Sequence, residues 1–300
     1  MVGGGKTIGM IGTGLMGTAM TRRLMAGGFV VKGYDPNPEA AARFRAAGGQ
    51  PMTSLAHLAR SVERAVISVF DTAQVEDVVA GQTGILAVPA GERSLRLVIN
   101  TSTCEPDSMT ALAQRAAGGG LRFMEVPLSG SVQQVISGTA VGLVGDNAAD
   151  LAAAKDIVDV ICPRHIAMGP VGNGAKTKLA INHIVALNRA AVAEGLVFAE
   201  RIGLPLDAFL AAARQSAANS VLMEVKGPQM VAGDFTPHGR IRQSLKDITL
   251  ILATAEAHGQ QLPLAEVYKT LMQNGVDAGE GDIDNSGVIK AIRRLHTAPV

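Results

Sequence analysis

The chain has no tryptophan, and aromatic residues make up only 3% of it. A stacking platform for single-stranded nucleic acid is therefore not expected. Alanine, leucine and valine must fill the core instead. Cysteine is scarce as well. Cys104 and Cys162 are the only two, and neither lies in a C-x-x-C or beside a histidine at ligand spacing. Two thiols build no disulfide framework. The six histidines show no ligand spacing either, so no metal is expected. Charge of one sign is also missing. The 27 Lys and Arg against 26 Asp and Glu leave a net charge of +1. That argues against a phosphate-neutralising surface and against an acidic tail, so no nucleic acid is expected as partner. No uninterrupted apolar run reaches the ~18 residues of a membrane span. The most apolar stretch, Leu179 to Ala199, contains Asn182, His183, Asn188, Arg189 and Glu194. The N-terminus lacks the charged and apolar regions of a signal peptide. The expected location is the cytoplasm, away from the membrane.

What is present is apolar material. Hydrophobic residues are 47% and charged residues 18% of 300, which excludes disorder for most of the chain. At roughly 150 residues per domain, the length suggests two domains. β-Branched runs at Thr7–Ile11, Val30–Tyr34, Ala65–Phe70 and Leu97–Asn100 alternate with helical patterns around Met16–Ala26, Glu39–Ala47 and Glu105–Ala117. Strand–helix alternation of this kind implies βαβ units and a parallel sheet. Further strands are expected at Leu121–Val126, Thr139–Val144 and Arg164–Ala167, and a helix at Ala148–Val160. From about Ala175 the strand signal disappears. Ala175–Ile202 reads as one long helix, apolar nearly all round and so buried among others. The expected fold class is α/β: a doubly wound Rossmann sheet over residues 1–170, then an all-helical domain over 171–300 that begins with the long helix. The boundary is set where GPVGNG breaks the periodicity.

Gly12-Thr13-Gly14-Leu15-Met16-Gly17 fits G-x-G-x-x-G. The pattern is weak alone, but here it follows an apolar strand and opens a helix. In that setting the first glycine permits the turn and the second lets the backbone approach a diphosphate. The third lets helix and strand pack closely. Asp35 ends the second strand, where a carboxylate accepts from both ribose hydroxyls and repels a 2′-phosphate. No arginine follows closely, and Lys32 should alternate to the other side. NAD is the expected cofactor, with NADP as the second candidate.

Lys178 and Asn182 stand at i,i+4, on one face of the long helix. An ammonium there can stabilise a developing alkoxide or exchange a proton. The residues alone allow equally a lysine snorkelling to solvent.

Taken together these segments resemble the β-hydroxyacid dehydrogenase family. Its members include 3-hydroxyisobutyrate dehydrogenase, tartronate semialdehyde reductase and glyoxylate/succinic semialdehyde reductases, and more distantly 6-phosphogluconate dehydrogenase. The resemblance spans nearly the whole chain and keeps the family's order of motifs. These are GxGxMGxxM at Gly12–Met20, the PVSGG-like loop Pro127-Leu128-Ser129-Gly130-Ser131, GxGxxxKxxxN from Gly172 to Asn182, and the KDL-like Lys246-Asp247-Ile248. The resemblance implies Lys178 as catalytic acid/base, with Asn182 holding the substrate. It gives Ser129, Gly130 and Ser131 to the substrate carboxylate. It places Ser102 and Thr103 at the nicotinamide end, Val69 and Phe70 against the cofactor, and Lys246, supported by Asp247, reaching the cofactor. It also implies a small β-hydroxyacid substrate and a homodimer or homotetramer.

The sequence departs from the pattern in places. Val69-Phe70-Asp71 stands for the usual Leu-Pro, Ser131 for a glycine, Asn100 for an aspartate, and Gly239 for a phenylalanine whose loss would open the pocket. Asp35 departs from the NADPH-using semialdehyde reductases. The expected reaction is hydride transfer between a nicotinamide and a β-hydroxyacid or its semialdehyde. The alternatives are an imine reductase, which usually lacks the lysine, and a non-catalytic dinucleotide-binding module.

Overall fold

The computed structural model describes residues 6–146 and 148–295. The chain divides between Lys178 and Leu179 into two compact units. The first runs β1 (Lys6–Ile11), α1 (Leu15–Ala26), β2 (Phe29–Tyr34), α2 (Pro38–Ala46), β3 (Gln50–Pro51), α3 (Leu55–Ser61), β4 (Arg64–Ile67), α4 (Thr72–Ala80), β5 (Leu97–Asn100), α5 (Pro106–Gly118), β6 (Arg122–Glu125), β7 (Leu128–Ser129), α6 (Val132–Ser137), β8 (Val141–Gly145), α7 (Ala148–Ile161) and β9 (Arg164–Gly169). The strand order is β3-β2-β1-β4-β5-β6-β8-β7, with β9 on β8. The strands from β1 to β6 pair in parallel. β8 departs from the expected parallel sheet, running antiparallel to β6 and β7.

Sequence and topology agree locally. β5 is buried at every position, as a strand covered on both faces should be. Asn37, Asp71 and Glu105 cap α2, α4 and α5 through their side chains, and prolines open α2 and α5. One apolar layer, with Met20, Phe44 and Ile157, covers one face of the sheet; a second, with Leu58, Val75 and Leu112, covers the other. The chain leaves β1 toward β2 and later returns beside β1 as β4. That reversal makes a crevice outside the strands' carboxyl ends, where such sheets bind ligands.

Three expected strands are shorter than their patterns. β4 stops at Ile67 because the Val69 N–H is taken by the Ser102 hydroxyl. Leu121 closes the preceding helix through its N–H to Ala116, so β6 starts at Arg122. The N–H groups of Thr139 and Ala140 both go to the Gln134 carbonyl, so β8 starts at Val141.

α8 (Asn173–Arg201) is the long helix, and its first turns belong to the first unit. The second unit adds α9 (Leu206–Arg214), α10 (Val221–Ala232), α11 (Ile241–Ala257), α12 (Pro263–Asp277) and α13 (Val288–Arg294). Leu196, Met230, Ile248, Tyr268 and Met272 belong to its core. A buried ion pair, Lys226 with Asp284 at 2.6 Å, crosses it. Asp284 also accepts the N–H groups of His238, Gly239 and Ser286. Among the described residues no helix is long and apolar enough to cross a membrane.

Candidate active site

The turn after β1 is built by three glycines for three different reasons. Gly12 has φ +84°, and any Cβ there would collide with the Ser68 carbonyl. A Cβ on Gly17 would collide with the Gly12 carbonyl, so helix and turn pack backbone to backbone. A Cβ on Gly14 would meet nothing within 4 Å. No packing inside the fold accounts for glycine at that position, and the space above it is what a diphosphate would need. Gly14 caps α1 with no side-chain bond, and no acid lies in the first turn, where Leu15 and Met16 begin the helix. The N–H groups there suit an anion.

Asp35 closes this turn. Its Oδ2 accepts from the Thr13 N–H at 2.7 Å and the Thr13 hydroxyl at 3.2 Å; its Oδ1 accepts from the Asn37 N–H at 2.9 Å. Oδ1 retains acceptor capacity for a ribose hydroxyl. Lys32 donates to the Ser61 carbonyl at 3.3 Å, just before β4 begins, so it does not sit with Asp35. The loops after β4 and β5 are tied together by the 3.0 Å bond from the Val69 N–H to the Ser102 hydroxyl. The Ser102 N–H in turn goes to Asn100 Oδ1 at 3.1 Å. Phe70 and Thr103 flank this tie, with Phe70 exposed. These residues fit a bound dinucleotide at the switch point of the sheet.

Lys178 lies in the first turns of α8 and is 8% exposed. Its Nζ donates to the Leu128 carbonyl at 2.7 Å. Leu128 is the residue before Ser129, so the ammonium is held against the Ser129-Gly130-Ser131 loop. Ser131 caps α6 in a capping box with Gln134. Its hydroxyl accepts the Gln134 N–H, and its own N–H goes to Gln134 Oε1. Ser129 and Gly130 are the loop positions outside that box. A Cβ on Gly130 would lie 2.9 Å from the Ala140 Cβ, so the loop packs tightly there.

The reading of the sequence missed Glu125. This acid ends β6, is 1% exposed, and receives the N–H groups of Gly172 at 2.8 Å and Ala175 at 3.1 Å on Oε1. Burial raises its pKa against the opposing pull of the N–H groups of Ala175, Gly172 and Gly174 and of nearby Lys176. Glu125 thereby fixes the first turn of α8, and with it the start of the turn that carries Lys178. The only signal in the sequence was a lone acid ending an apolar strand.

In the second unit, Asn182 stands one turn beyond Lys178 along α8. Its Nδ2 donates to Asp247 Oδ2 at 3.1 Å, and Asp247 Oδ1 pairs with Lys246 at 2.7 Å. Asn182, Lys246 and Asp247 therefore form one polar group. Among the described residues no cluster of His, Cys, Asp and Glu could hold a metal ion.

A mostly parallel sheet with an open-faced glycine turn at its switch point is the arrangement of a dinucleotide-binding domain. Residues 7–169 match the NAD binding domain of 6-phosphogluconate dehydrogenase. Residues 172–292 match the family described as the NAD-binding part of NADP-dependent 3-hydroxyisobutyrate dehydrogenase. The chain is 31% identical to L-threonate dehydrogenase of Cupriavidus necator over 95% of both chains. It is 28% identical to glyoxylate/succinic semialdehyde reductase 1 of Arabidopsis thaliana, over 95% of this chain and 98% of that one. The crystal structure of 3-hydroxyisobutyrate dehydrogenase from Salmonella typhimurium superposes with a TM-score of 0.84 at 28% identity, covering 95% of this chain and 99% of that one. The chain belongs to the β-hydroxyacid dehydrogenase family, whose enzymes depend on NAD(P).

Proposed function

We propose that the chain oxidises and reduces a small β-hydroxyacid/semialdehyde pair with Lys178 as general acid/base. The observation that carries this is the buried Lys178 ammonium held on the Leu128 carbonyl, beside the Ser129–Ser131 loop. A bound nicotinamide would supply the hydride chemistry. In oxidation, Lys178 in its neutral form takes the substrate hydroxyl proton as a carbonyl forms. In reduction, the ammonium returns that proton to the oxygen. Ser129, Gly130 and Ser131 bind the carboxylate, and Asn182, aligned by Asp247, holds the reacting hydroxyl. Gly12 to Gly17, Val69, Phe70, Ser102, Thr103 and Lys246 hold the cofactor. Residues 1–170 form the cofactor part and 171–300 the helical part of this reading; the compact units divide later, after Lys178, because Gly172, Ala175 and Lys178 bond to Glu125 and Leu128.

NAD is the preferred cofactor, because the Asp35 carboxylate repels a 2′-phosphate and Lys32 is committed elsewhere. The chain self-associates through its helical part, which exposes Ile184 and Phe198 on α8 and Ile202 just past its end. The presence of Lys178, Asn182 and Lys246 together counts against an imine reductase and against a non-catalytic module.

The test is nucleotide reduction, read by absorbance, over a panel of β-hydroxyacids with NAD and with NADP. Turnover is expected with NAD over NADP. It is expected to fall about 10²–10⁴-fold in Lys178→Ala, with NAD affinity retained in calorimetric titration. Equal turnover in Lys178→Ala would end the acid/base assignment.

A further inference from the structure

A carboxylate has about four acceptor sites, two on each oxygen. On Asp35 three of them are filled within the chain. Oδ2 takes the Thr13 N–H at 2.7 Å and the Thr13 hydroxyl at 3.2 Å, and Oδ1 takes the Asn37 N–H at 2.9 Å. One site remains, on Oδ1. The side chain as it stands has room for one ribose hydroxyl and not for two.

The two oxygens have different surroundings. Thr13 is 1% exposed, so its bonds to Oδ2 are made inside the phosphate-binding turn. The Asn37 bond to Oδ1 lies at the surface. Thr13 is itself held in place. The neighbouring Gly12 N–H goes to the Tyr34 carbonyl at 3.0 Å, and the Thr18 hydroxyl donates to the Thr13 carbonyl at 2.9 Å. The turn and the end of β2 are thus joined at two successive residues, through backbone at Gly12 and Tyr34 and through the side chains at Thr13 and Asp35.

Such a grip matters for telling two nucleotides apart. The last torsion of an aspartate side chain is broad, so a loosely held carboxylate turns easily. Turning away from a 2′-phosphate lowers the repulsion. A carboxylate held on both oxygens keeps its charge where it is. Selectivity is a difference between two affinities, and a fixed like charge widens it by penalising the wrong ligand. The backbone N–H at position 13 is there with almost any side chain. The hydroxyl is what threonine adds, and without it Oδ2 keeps one bond in place of two.

We propose that Thr13 is a positioning residue that sets cofactor choice: its hydroxyl locks the Asp35 carboxylate at the adenosine ribose and so sharpens the preference for NAD over NADP. This rests on the reading of Asp35 as the acid that meets the ribose. Thr13 touches neither the nicotinamide nor the substrate in this account. It acts through Asp35 alone.

The experiment measures Kd for NAD and for NADP by calorimetric titration at one ionic strength, alongside melting curves. It uses the full chain as wild type, Thr13→Val, Thr13→Ser and Asp35→Asn, and needs no substrate. The readout is the ratio of the NADP Kd to the NAD Kd, because a general loosening of the turn weakens both nucleotides alike. Asp35→Asn is expected to lose most of the wild-type preference. Thr13→Val is expected to lower the ratio at least about threefold, the order of one hydrogen bond, and Thr13→Ser to keep it near wild type. If Thr13→Val does not fold, Thr13→Ala carries the test. A ratio in the valine or alanine variant equal to wild type, or one in Thr13→Ser equally reduced, would overturn the role of the Thr13 hydroxyl while Asp35→Asn still loses the preference. A wild type that binds NADP as tightly as NAD, or a ratio unchanged in Asp35→Asn, would instead overturn the reading of Asp35 itself.

Discussion

Glu125 is a buried acid whose one oxygen serves the start of α8 and whose other oxygen has no partner. Burial raises its pKa, so the folded chain binds this proton more tightly than the unfolded chain does. Stability from this group is therefore present at low pH. It declines as pH rises from the ordinary glutamate value through the raised one. Glu125→Gln cannot ionise and removes the decline. The melting temperature of the variant relative to wild type is expected to become more favourable as pH rises above about 4, the ordinary glutamate value, by about 2–4 °C per kcal/mol recovered. A difference that stays constant with pH, or moves the other way, would contradict this. Residues such as Gly12, Asp35 and Lys178 were legible because local spacing announces them. Glu125 was not, since its partners lie 47 and 50 residues away and only the fold brings them together.

The turn between β1 and α1 separates structural glycine from binding glycine. Gly12→Ala forces a side chain into φ +84° and into the Ser68 carbonyl. It is expected to destabilise the chain by more than about 1 kcal/mol. Gly14→Val enters open space. It is expected to leave the melting temperature nearly unchanged while weakening NAD about tenfold or more, by removing the close approach of backbone to diphosphate. Melting curves and calorimetric NAD titration of both variants check the pair; Gly14→Val binding NAD as wild type would place the cofactor elsewhere. The long elements on either side were legible from periodicity and their glycine punctuation. α3, α4 and α6 were not. They have 7, 9 and 6 residues, too short for a clear period, and α4 carries three valines that read as strand. Their caps, Ser54, Asp71 and Ser131, were the available signal.

On the scale of the whole molecule, α8 carries a pattern that the all-round apolar reading concealed. Ile184, Ala191 and Phe198 recur at intervals of seven and are exposed, and Ile202, one residue past the helix, is exposed as well. A heptad-spaced apolar face on a long helix is suited to packing against another helix. Light scattering is expected to find a dimer or larger species, and Phe198→Glu to shift it toward monomer. A wild type that is monomeric at working concentration would contradict self-association through this face. The two-part organisation was legible from the loss of β-branched alternation near Ala175. The reversed direction of β8 was not, because strand direction leaves no mark in composition.

The central claim is that the Lys178 amine carries the proton. Its most direct test is chemical rescue of Lys178→Ala by a small primary amine such as ethylamine, added to enzyme saturated with NAD and hydroxyacid. Turnover is expected to be lost in the variant and to return in proportion to the amine added. A variant that turns over at the wild-type rate with no amine present would contradict the account.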